Sequence, residues 1–400
     1  MTFSAFCARC RKKVKKAERI IRYFDMFAGV GGFRAGLDLA GGFQCIGHCE
    51  IDKYADASYR AIHAPGKEKV YYPDARTIDP KELPDFDLLC GGFPCQAFST
   101  AGRRKGFEDA RGTLFFELAR VVKEKRPSYL FLENVPGLLS HDRGRTFGVI
   151  LSALYDLGYH VEWTVLNSKH FGVPQSRRRL FLIGYLDPRC AGKILPVFGT
   201  DAKALVQIVH GRLGKRVYDS AGIACTQDTS RQSGLYFVDL TKGDPKITAN
   251  ARCLHTRQDG SLTNFKGQNS GVLYIKEATK KGYKEAHEGD SIDLGFAASN
   301  TRRGRVFAGV AHTVDTANTH GIVLRGGRVR RLMPRECFRL QGFSEDLIDK
   351  ILAINSDAQA YKQAGNSVTV TVIEAIGRRI RAADAELHDK EEGRDVCPTM

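Results

Sequence analysis

Short apolar runs alternate with helical patterns from Tyr23 onward, and this alternation restricts the fold more than any other feature of the sequence. Turn residues bound each run, and several runs are apolar at consecutive positions, which is typical of strands that are covered on both faces. Apolar residues recur at helical spacing between the runs, at 114–122 and 150–157. The predicted strands are 23–27, 45–49, 86–90, 129–132, 161–166 and 180–185. Repeated strand–helix–strand units of this kind predict an α/β domain around a parallel sheet.

The chain divides by composition into five predicted segments. Its 400 residues are enough for two domains, or for one domain with a large insertion. After Asp187 the helical patterns give way to glycine, threonine, serine, asparagine and basic residues, and helical periodicity returns near the end. We predict a basic amino-terminal tail at 1–20, a catalytic and cofactor-binding domain at 21–187, a mostly β and loop domain at 188–328, a return to the first domain at 329–384 and a tail at 385–400.

Two stretches of the second predicted domain share one pattern. Residues 216–229 read RVYDSAGIACTQDT, and residues 305–316 read RVFAGVAHTVDT. Two copies are too few for a solenoid of stacked repeats. We interpret them as a duplicated recognition element, and chance resemblance is the alternative.

The formal net charge of +16 favours a polyanionic partner, because basic residues neutralise phosphates and release their counterions. A merely soluble basic protein could carry the same charge. No signal-peptide pattern is present, and no stretch approaches the roughly 20 apolar residues that cross a membrane, so we expect a soluble, cytoplasmic protein. The 11 cysteines are scattered, which favours reduced thiols. Cys7 and Cys10 form a single C-x-x-C pair without a second pair, so we predict no metal site.

The first candidate site is a glycine turn between a predicted strand and a predicted helix. Residues 24–32 read FDMFAGVGG, and Glu50 ends the next predicted strand. Glycines let the backbone approach a ligand closely, and an acidic side chain there can accept hydrogen bonds from ribose hydroxyls. A dinucleotide and S-adenosylmethionine fit this pattern equally well, and purely structural glycines are the third reading.

The second candidate site is a cysteine directly after a predicted strand. Cys95 lies in the sequence GGFPCQ, followed by a polar, glycine-rich and basic stretch at 99–112. An accessible thiolate is a strong nucleophile, and such a loop can move and contact phosphates. The alternative is an inert, buried cysteine.

The third and fourth candidates are a carboxylate and an arginine cluster. Glu133 leaves an apolar strand, where burial is expected to raise its pKa, so that it can hold a proton against a ring nitrogen. A helix cap or a salt bridge would equally explain it. Arg177, Arg178 and Arg179 lead into the last predicted strand, and period-two alternation puts Arg177 and Arg179 on one face, where both could orient Glu133. A plain phosphate-binding cluster is the alternative.

Together these sites resemble the DNA cytosine-5 methyltransferase family, in the form found in bacterial and phage modification enzymes. Six motifs follow the family order over about 20–187 and 329–380: DMFAGVGGFRAGL, GGFPCQAFSTAGRRKGFEDARGTLFFELAR, FLENV, GVPQSRRRLFLIG, RRLMPRECFRLQGF and QAGNSVTV. The resemblance implies a Rossmann-like, S-adenosylmethionine-dependent methyltransferase fold. Its sheet would be mixed and seven-stranded, with an inserted target-recognition domain.

The resemblance also assigns roles to the candidate residues. Cys95 would add to C6 of a flipped cytosine, Glu133 would donate a proton toward N3, and Arg177 and Arg179 would align Glu133 and the cytosine O2. The implied cofactor contacts are Phe27, Gly29, Gly31, Gly32, Glu50, Ile51, Asp74, Pro94, Leu114 and Asn366. The implied DNA contacts are Gln96, Ser99, Arg103, Arg111, Arg302, Arg303 and Arg305.

Two positions depart from the family pattern. Ile51 stands where the family usually has an aromatic residue, which puts adenine stacking there in doubt. Arg178 stands where the family often has an acidic residue, and because it should face away from Glu133 we expect little effect on catalysis.

Three other functions remain open from the sequence. An RNA cytosine-5 methyltransferase shares this architecture, a catalytically silent DNA-binding protein would share the charge, and an oxidoreductase would share the glycine turn. We expect a monomer that acts on double-stranded DNA. A cognate restriction endonuclease is a partner that the resemblance allows.

Overall fold

The computed structural model describes residues 19–64, 70–93, 114–195, 197, 235–239, 246–248, 273–295, 301, 303–316, 319–324 and 329–392. Most of the predicted amino-terminal tail, the Cys7–Cys10 pair and the first copy of the repeat lie outside these residues. Element labels below number the described helices and strands in chain order.

A seven-stranded mixed sheet forms the centre of the protein, as predicted. Its strand order is β3-β2-β1-β4-β5-β7-β6. The strands β3, β2, β1, β4 and β5 are parallel, whereas β7 runs antiparallel to both of its neighbours. The bounds are β1 Ile21–Met26, β2 Phe43–Cys49, β3 Val70–Tyr72, β4 Leu88–Gly92, β5 Tyr129–Asn134, β6 His160–Asn167 and β7 Arg178–Tyr185.

Helices cover both faces of this sheet. On one face α3 (Leu114–Lys125) and α4 (Arg145–Asp156) bury apolar residues against alternate strand positions, including Phe24 and Met26 of β1. On the other face α1 (Gly32–Ala40) packs with the long carboxy-terminal helix against the intervening strand positions. Helix α2 (Lys53–His63) follows β2 and is capped by Asp52, whose carboxylate accepts from the first-turn N–H groups of Tyr54 and Ala55.

Two four-stranded antiparallel sheets occupy the described parts of the predicted recognition domain. Their orders are β11-β10-β8-β9 and β13-β12-β14-β15. The last strand extends this region past the predicted boundary at 328, because it pairs with β14. The bounds are β8 Leu235–Asp239, β9 Lys246–Thr248, β10 Leu273–Lys276, β11 Tyr283–Ala286, β12 Ser291–Asp293, β13 Val306–Phe307, β14 His320–Val323 and β15 Val329–Arg331.

The chain then returns to the first sheet through four helices. They are α5 Pro334–Leu340, α6 Glu345–Ile354, α7 Asp357–Asn366 and α8 Val370–Glu392. Helix α8 corrects the prediction of a tail from 385, since it continues to Glu392 and Leu387 is buried in the core. Within the described ranges, no helix combines the length and apolar character that a membrane span requires.

Candidate active site

The glycine turn between β1 and α1 has a backbone that glycine alone adopts without strain. Gly29 and Gly31 have φ angles of +56° and +84°, and Phe27 also has a positive φ. A Cβ on Gly31 would clash with Nε2 of His63. A Cβ on Gly32 would lie 2.8 Å from Oγ of Ser367. The turn is therefore held between α2 and the segment that joins α7 to α8.

Glu50 closes this turn from the end of β2. One carboxylate oxygen accepts from the N–H of Gly29 at 2.7 Å, and the other accepts from the N–H of Asp52 at 2.7 Å. Burial raises the pKa of Glu50, and the two backbone N–H groups oppose that rise. Each oxygen keeps a lone pair that can accept a further hydrogen bond.

The other described residues that were predicted to contact the cofactor are Ile51, Asp74, Leu114 and Asn366. Ile51 is 70% exposed, and Leu114 starts α3 and is partly buried against the core. Asp74 already accepts from Arg76, whose guanidinium lies 2.6 Å away and holds the pKa of that carboxyl below its usual range. Asn366 is exposed at the end of α7, beside the Ser367 contact with Gly32.

Glu133 lies near the carboxyl end of β5, directly opposite Gly92 of β4. Nε of Arg179 contacts its carboxylate at 2.9 Å. Burial raises the pKa of Glu133, whereas the charges of Arg179 and Arg177 lower it. Because β7 is antiparallel, its first residues reach the edge at which β4 and β5 end, and this brings Arg179 to Glu133.

Arg177 lies beside the same carboxylate but bonds elsewhere. Its guanidinium donates to the carbonyl oxygens of Val314, Gly365 and Ser367 at 3.2, 3.0 and 2.7 Å. Burial lowers its pKa to about 9, and the charge of Arg179 adds to that effect. Among the described contacts, Arg179 pairs directly with Glu133, whereas Arg177 acts on Glu133 through its charge and links two other segments. That both guanidiniums orient Glu133 stays a prediction.

Asn134, the next residue of β5, fixes the end of β4. Its side-chain amide donates to the carbonyl of Phe93 at 2.9 Å, and its Oδ1 accepts from the N–H of Val135 at 2.8 Å. Pro94, Cys95, Gln96, Ser99, Arg103 and Arg111 lie outside the described residues. The sequence had singled out the ENV motif for its glutamate, and the anchoring role of its asparagine was missed.

A short segment of the second copy of the repeat docks against this edge. The N–H of Ala311 donates to the carbonyl of Pro174 at 2.8 Å, and the N–H of Ser176 donates to the carbonyl of Ala311 at 2.9 Å. The buried amide of Gln175 accepts from the N–H of Val314 at 2.9 Å and donates to Leu340. We call residues 311–316 the docking segment.

Of the basic residues predicted to contact DNA, Arg305 requires a correction. It is 1% exposed, and its guanidinium donates to the carbonyl of Asp293 at 2.7 Å. Its backbone N–H donates to Glu277 at 2.6 Å. A side chain in this interior position supports the antiparallel sheet and cannot reach a base. Arg303 is at the surface and donates to the carbonyl of Ala278, and Arg302 lies outside the described residues.

The described ranges contain no group of three or more histidine, cysteine, aspartate or glutamate side chains arranged to hold a metal ion.

A mixed seven-stranded sheet with a glycine turn closed by a glutamate, and a partly buried glutamate–arginine pair at the same edge, is typical of the S-adenosylmethionine-dependent methyltransferase fold class. Solved structures share this fold: the Dnmt2 methyltransferase of S. pombe matches with a TM-score of 0.50 and 17% identity, over 92% of this chain and 99% of that chain. The EhMeth methyltransferase of Entamoeba histolytica matches with a TM-score of 0.50 and 15% identity, over 92% and 99%.

The chain belongs to the C-5 cytosine-specific DNA methylase family, whose sequence profile matches residues 21–382. Orphan methyltransferase M.SPRI of Bacillus phage SPR is 32% identical, over 90% of this chain and 97% of the relative. Type II methyltransferase M.HhaI of Haemophilus parahaemolyticus is 32% identical, over 90% and 94%. Type II methyltransferase M.HpaII of Haemophilus parainfluenzae is 34% identical, over 92% and 91%. The protein is a DNA cytosine-5 methyltransferase.

Proposed function

We propose that this enzyme methylates C5 of cytosine within a specific short sequence of duplex DNA, with S-adenosylmethionine as methyl donor, base flipping and a covalent bond from Cys95 to C6. The observation that carries the proposal is the partly buried contact of Glu133 with Arg179, opposite Gly92. Cys95 follows Gly92 by three residues in the sequence, and Asn134 holds the intervening carbonyl of Phe93. The proposed acid therefore lies on the strand next to the one that Cys95 follows in the sequence.

The residues at the glycine turn fit S-adenosylmethionine. The carboxylate of Glu50 has a free lone pair on each oxygen for the ribose hydroxyls, and nothing lies within 4 Å of the position where a Cβ of Gly29 would be. Phe27, Gly31 and Gly32 complete the cradle, with Ile51, Asp74, Leu114 and Asn366 around it. When bound, this cofactor supplies an electrophilic methyl group on a sulfonium.

The residues of the chain supply the rest of the chemistry. C5 of cytosine is a weak nucleophile, so the Cys95 thiolate first adds to C6 while Glu133 donates a proton to N3. Burial, which raises the pKa of Glu133, favours the protonated form that this step needs. After C5 has taken the methyl group, loss of the C5 proton and β-elimination break the sulfur–carbon bond and regenerate the thiolate.

The cytosine must leave the stack to reach these groups, at a cost of roughly a few kcal/mol. We place closure over the flipped base in the stretch 99–112 and sequence choice in 188–328, with Gln96, Ser99, Arg103, Arg111, Arg302 and Arg303 as DNA contacts. Each arginine bidentate to a guanine would contribute about 1–3 kcal/mol of discrimination. Action as a monomer, a cytoplasmic location and a cognate restriction endonuclease stay predictions.

Tritium transfer from labelled S-adenosylmethionine to duplex DNA tests the proposal, with bisulfite sequencing of the product. We expect methylation of cytosines in one short motif by the wild-type protein and none by Cys95→Ser, because the serine hydroxyl is a far weaker nucleophile at neutral pH. Transfer to tRNA and not to DNA would move the substrate to RNA. Equal transfer by wild type and Cys95→Ser would exclude the covalent mechanism.

A further inference from the structure

A corner of three basic side chains lies where β6 ends and β7 begins. Arg178 opens β7 and is paired in register with Asn167, the last residue of β6. A short 3-10 turn follows Asn167 and carries Lys169 and His170. Arg178 and His170 are exposed, and Lys169 is partly exposed. We call Arg178, Lys169 and His170 the basic corner.

The basic corner adjoins the sheet edge that carries Glu133 and Arg179, which we call the catalytic edge. Arg178 and Arg179 are consecutive, so their Cα atoms lie about 3.8 Å apart across one peptide. Arg179 turns toward Glu133 at 2.9 Å, whereas the exposed Arg178 side chain points to the other side of β7. Both residues thus lie at the end of β7 that meets the sheet edge of Glu133, on opposite sides of the strand.

The side chains of the basic corner have no carboxylate partner in the described part of the chain. Among the described residues, none of the three forms an ion pair with a carboxylate. Some exposed arginines do have such partners, such as Arg76 with Asp74 and Arg378 with Glu374, whereas others, such as Arg22 and Arg143, also have none within the described ranges. The neutral side chains of Asn167 and Ser176 bond to each other beside Arg178. Arg178 and Lys169 thus present positive charge without a described carboxylate partner at the sheet edge that carries Glu133.

We propose that Arg178, with Lys169 beside it, binds a backbone phosphate of the DNA strand that carries the target cytosine, next to the flipped nucleotide. This inference rests on the proposed function, because it takes duplex DNA as the substrate. A guanidinium binds phosphate through a charge-assisted pair of hydrogen bonds and carries no sequence information. Arg178 is therefore a positioning residue that holds the DNA strand, while Arg179 contacts Glu133.

The test compares Arg178→Gln with Arg189→Gln by fluorescence anisotropy, on a labelled duplex of mixed sequence over a range of salt concentrations. Both changes remove one positive charge, and Arg189 lies just beyond the opposite end of β7. Arg178→Gln should reduce the slope of log affinity against log salt by about 0.9, the value for one lost phosphate contact on B-DNA. Between about 50 and 200 mM salt the wild type should then lose about threefold more affinity than this variant. Arg189→Gln should keep the wild-type slope.

Kinetics separate positioning from a structural effect. Arg178→Gln should raise the KM for DNA at fixed salt while the KM for S-adenosylmethionine and the unfolding midpoint stay at wild-type values. Lys169→Gln should change the slope in the same direction. An unchanged slope in Arg178→Gln, or equal changes in Arg178→Gln and Arg189→Gln, would overturn the proposal. Wild-type protein that binds the duplex without methylating it would instead refute the proposed function, and the slopes would still decide the role of Arg178.

Discussion

Arg177 and Arg179 are two residues apart and both lie near the carboxylate of Glu133, but they have different hydrogen-bond partners. Arg179 contacts Glu133. Arg177 instead donates from its two Nη atoms to three carbonyl oxygens, one in the docking segment and two at the end of α7. A guanidinium can serve several acceptors in a plane, and an ammonium cannot reproduce that geometry. Replacement by lysine keeps the charge and should therefore separate the two roles.

Arg177→Lys should lower the free energy of unfolding by about 1–3 kcal/mol, because at least one buried carbonyl oxygen loses its donor. Arg179→Lys should leave stability near wild type and lower kcat by roughly tenfold or more, since the donor that positions Glu133 is lost. Urea denaturation and steady-state methyl transfer measure the two effects. Equal losses of kcat with unchanged stability in both variants would show that both arginines serve the acid directly.

At the scale of elements, the reversal of β7 and the helix end at Gly365 bring the docking segment to the catalytic edge. A Cβ on Gly365 would lie 2.6 Å from the carbonyl carbon of Asp315 and 2.7 Å from the N–H nitrogen of Thr316. Both are backbone atoms, so neither can move away without shifting the segment. Gly365 therefore sets how closely α7 and the docking segment approach.

Gly365→Ala should destabilise the protein by about 1–3 kcal/mol, the usual cost of overpacking, and should lower methyl transfer because Arg177 loses its partners. Gly148→Ala is the matched control. Gly148 lies inside α4 with nothing within 4 Å of its Cβ position, so alanine there should be neutral or stabilising by about 0.5–1 kcal/mol. Thermal and urea unfolding compare the two. A Gly365→Ala protein as stable and active as Gly148→Ala would contradict the packing argument.

Elements were predictable from the sequence where the signal is local. The six predicted strands all exist, and the covered parallel strands β1, β4 and β5 are evident as nearly continuous apolar runs. The strand β3 was missed because its three residues, Val70–Tyr72, are too short to show a pattern. Arg305 was misplaced because its partners, Glu277 and Asp293, come from other strands and nothing near it in sequence signals burial.

In the candidate site, too, residues with a local sequence signal were predicted, whereas contacts between distant parts of the chain were not. Glu50 and Glu133 were singled out from their places at predicted strand ends, and in the structure Glu50 directly follows β2 and Glu133 lies at the end of β5. The links of Arg177 to Val314 and Gly365 span 137 and 188 residues of sequence, and only the folded chain reveals them.

For the molecule as a whole, buried titratable groups make stability depend on pH in both directions. Burial lowers the pKa of His63 to about 3, with the charge of Arg34 as the next cause. The folded state thus holds His63 neutral, and the stability this gives is present above about pH 6.5 and lost as pH falls toward about 3. Burial raises the pKa of Glu50 and Glu133, so their contributions have the opposite sign and are lost as pH rises through those raised values.

His63→Gln isolates one of these contributions, because glutamine cannot take up a proton. His63 lies against the glycine turn, with Nε2 3.2 Å from the carbonyl oxygen of Gly31 and Nδ1 3.9 Å from Asp38. Between pH 7.5 and pH 5 the wild type should lose on the order of 2 kcal/mol more unfolding free energy than the variant. Urea titrations at the two pH values measure the difference. Parallel losses in both proteins would show that His63 is not the acid-sensitive group.

The docking segment has a consequence for how such an enzyme changes its target. The docking segment contributes main-chain atoms to the hydrogen bonds at Ala311 and Val314. The side chain of Thr313 adds one more, from the hydroxyl to the carbonyl of Ser176. A junction built on main-chain atoms accepts many sequences beyond it. The surface proposed to select the target sequence can therefore change in evolution while the docking segment and the residues around Glu133 stay the same.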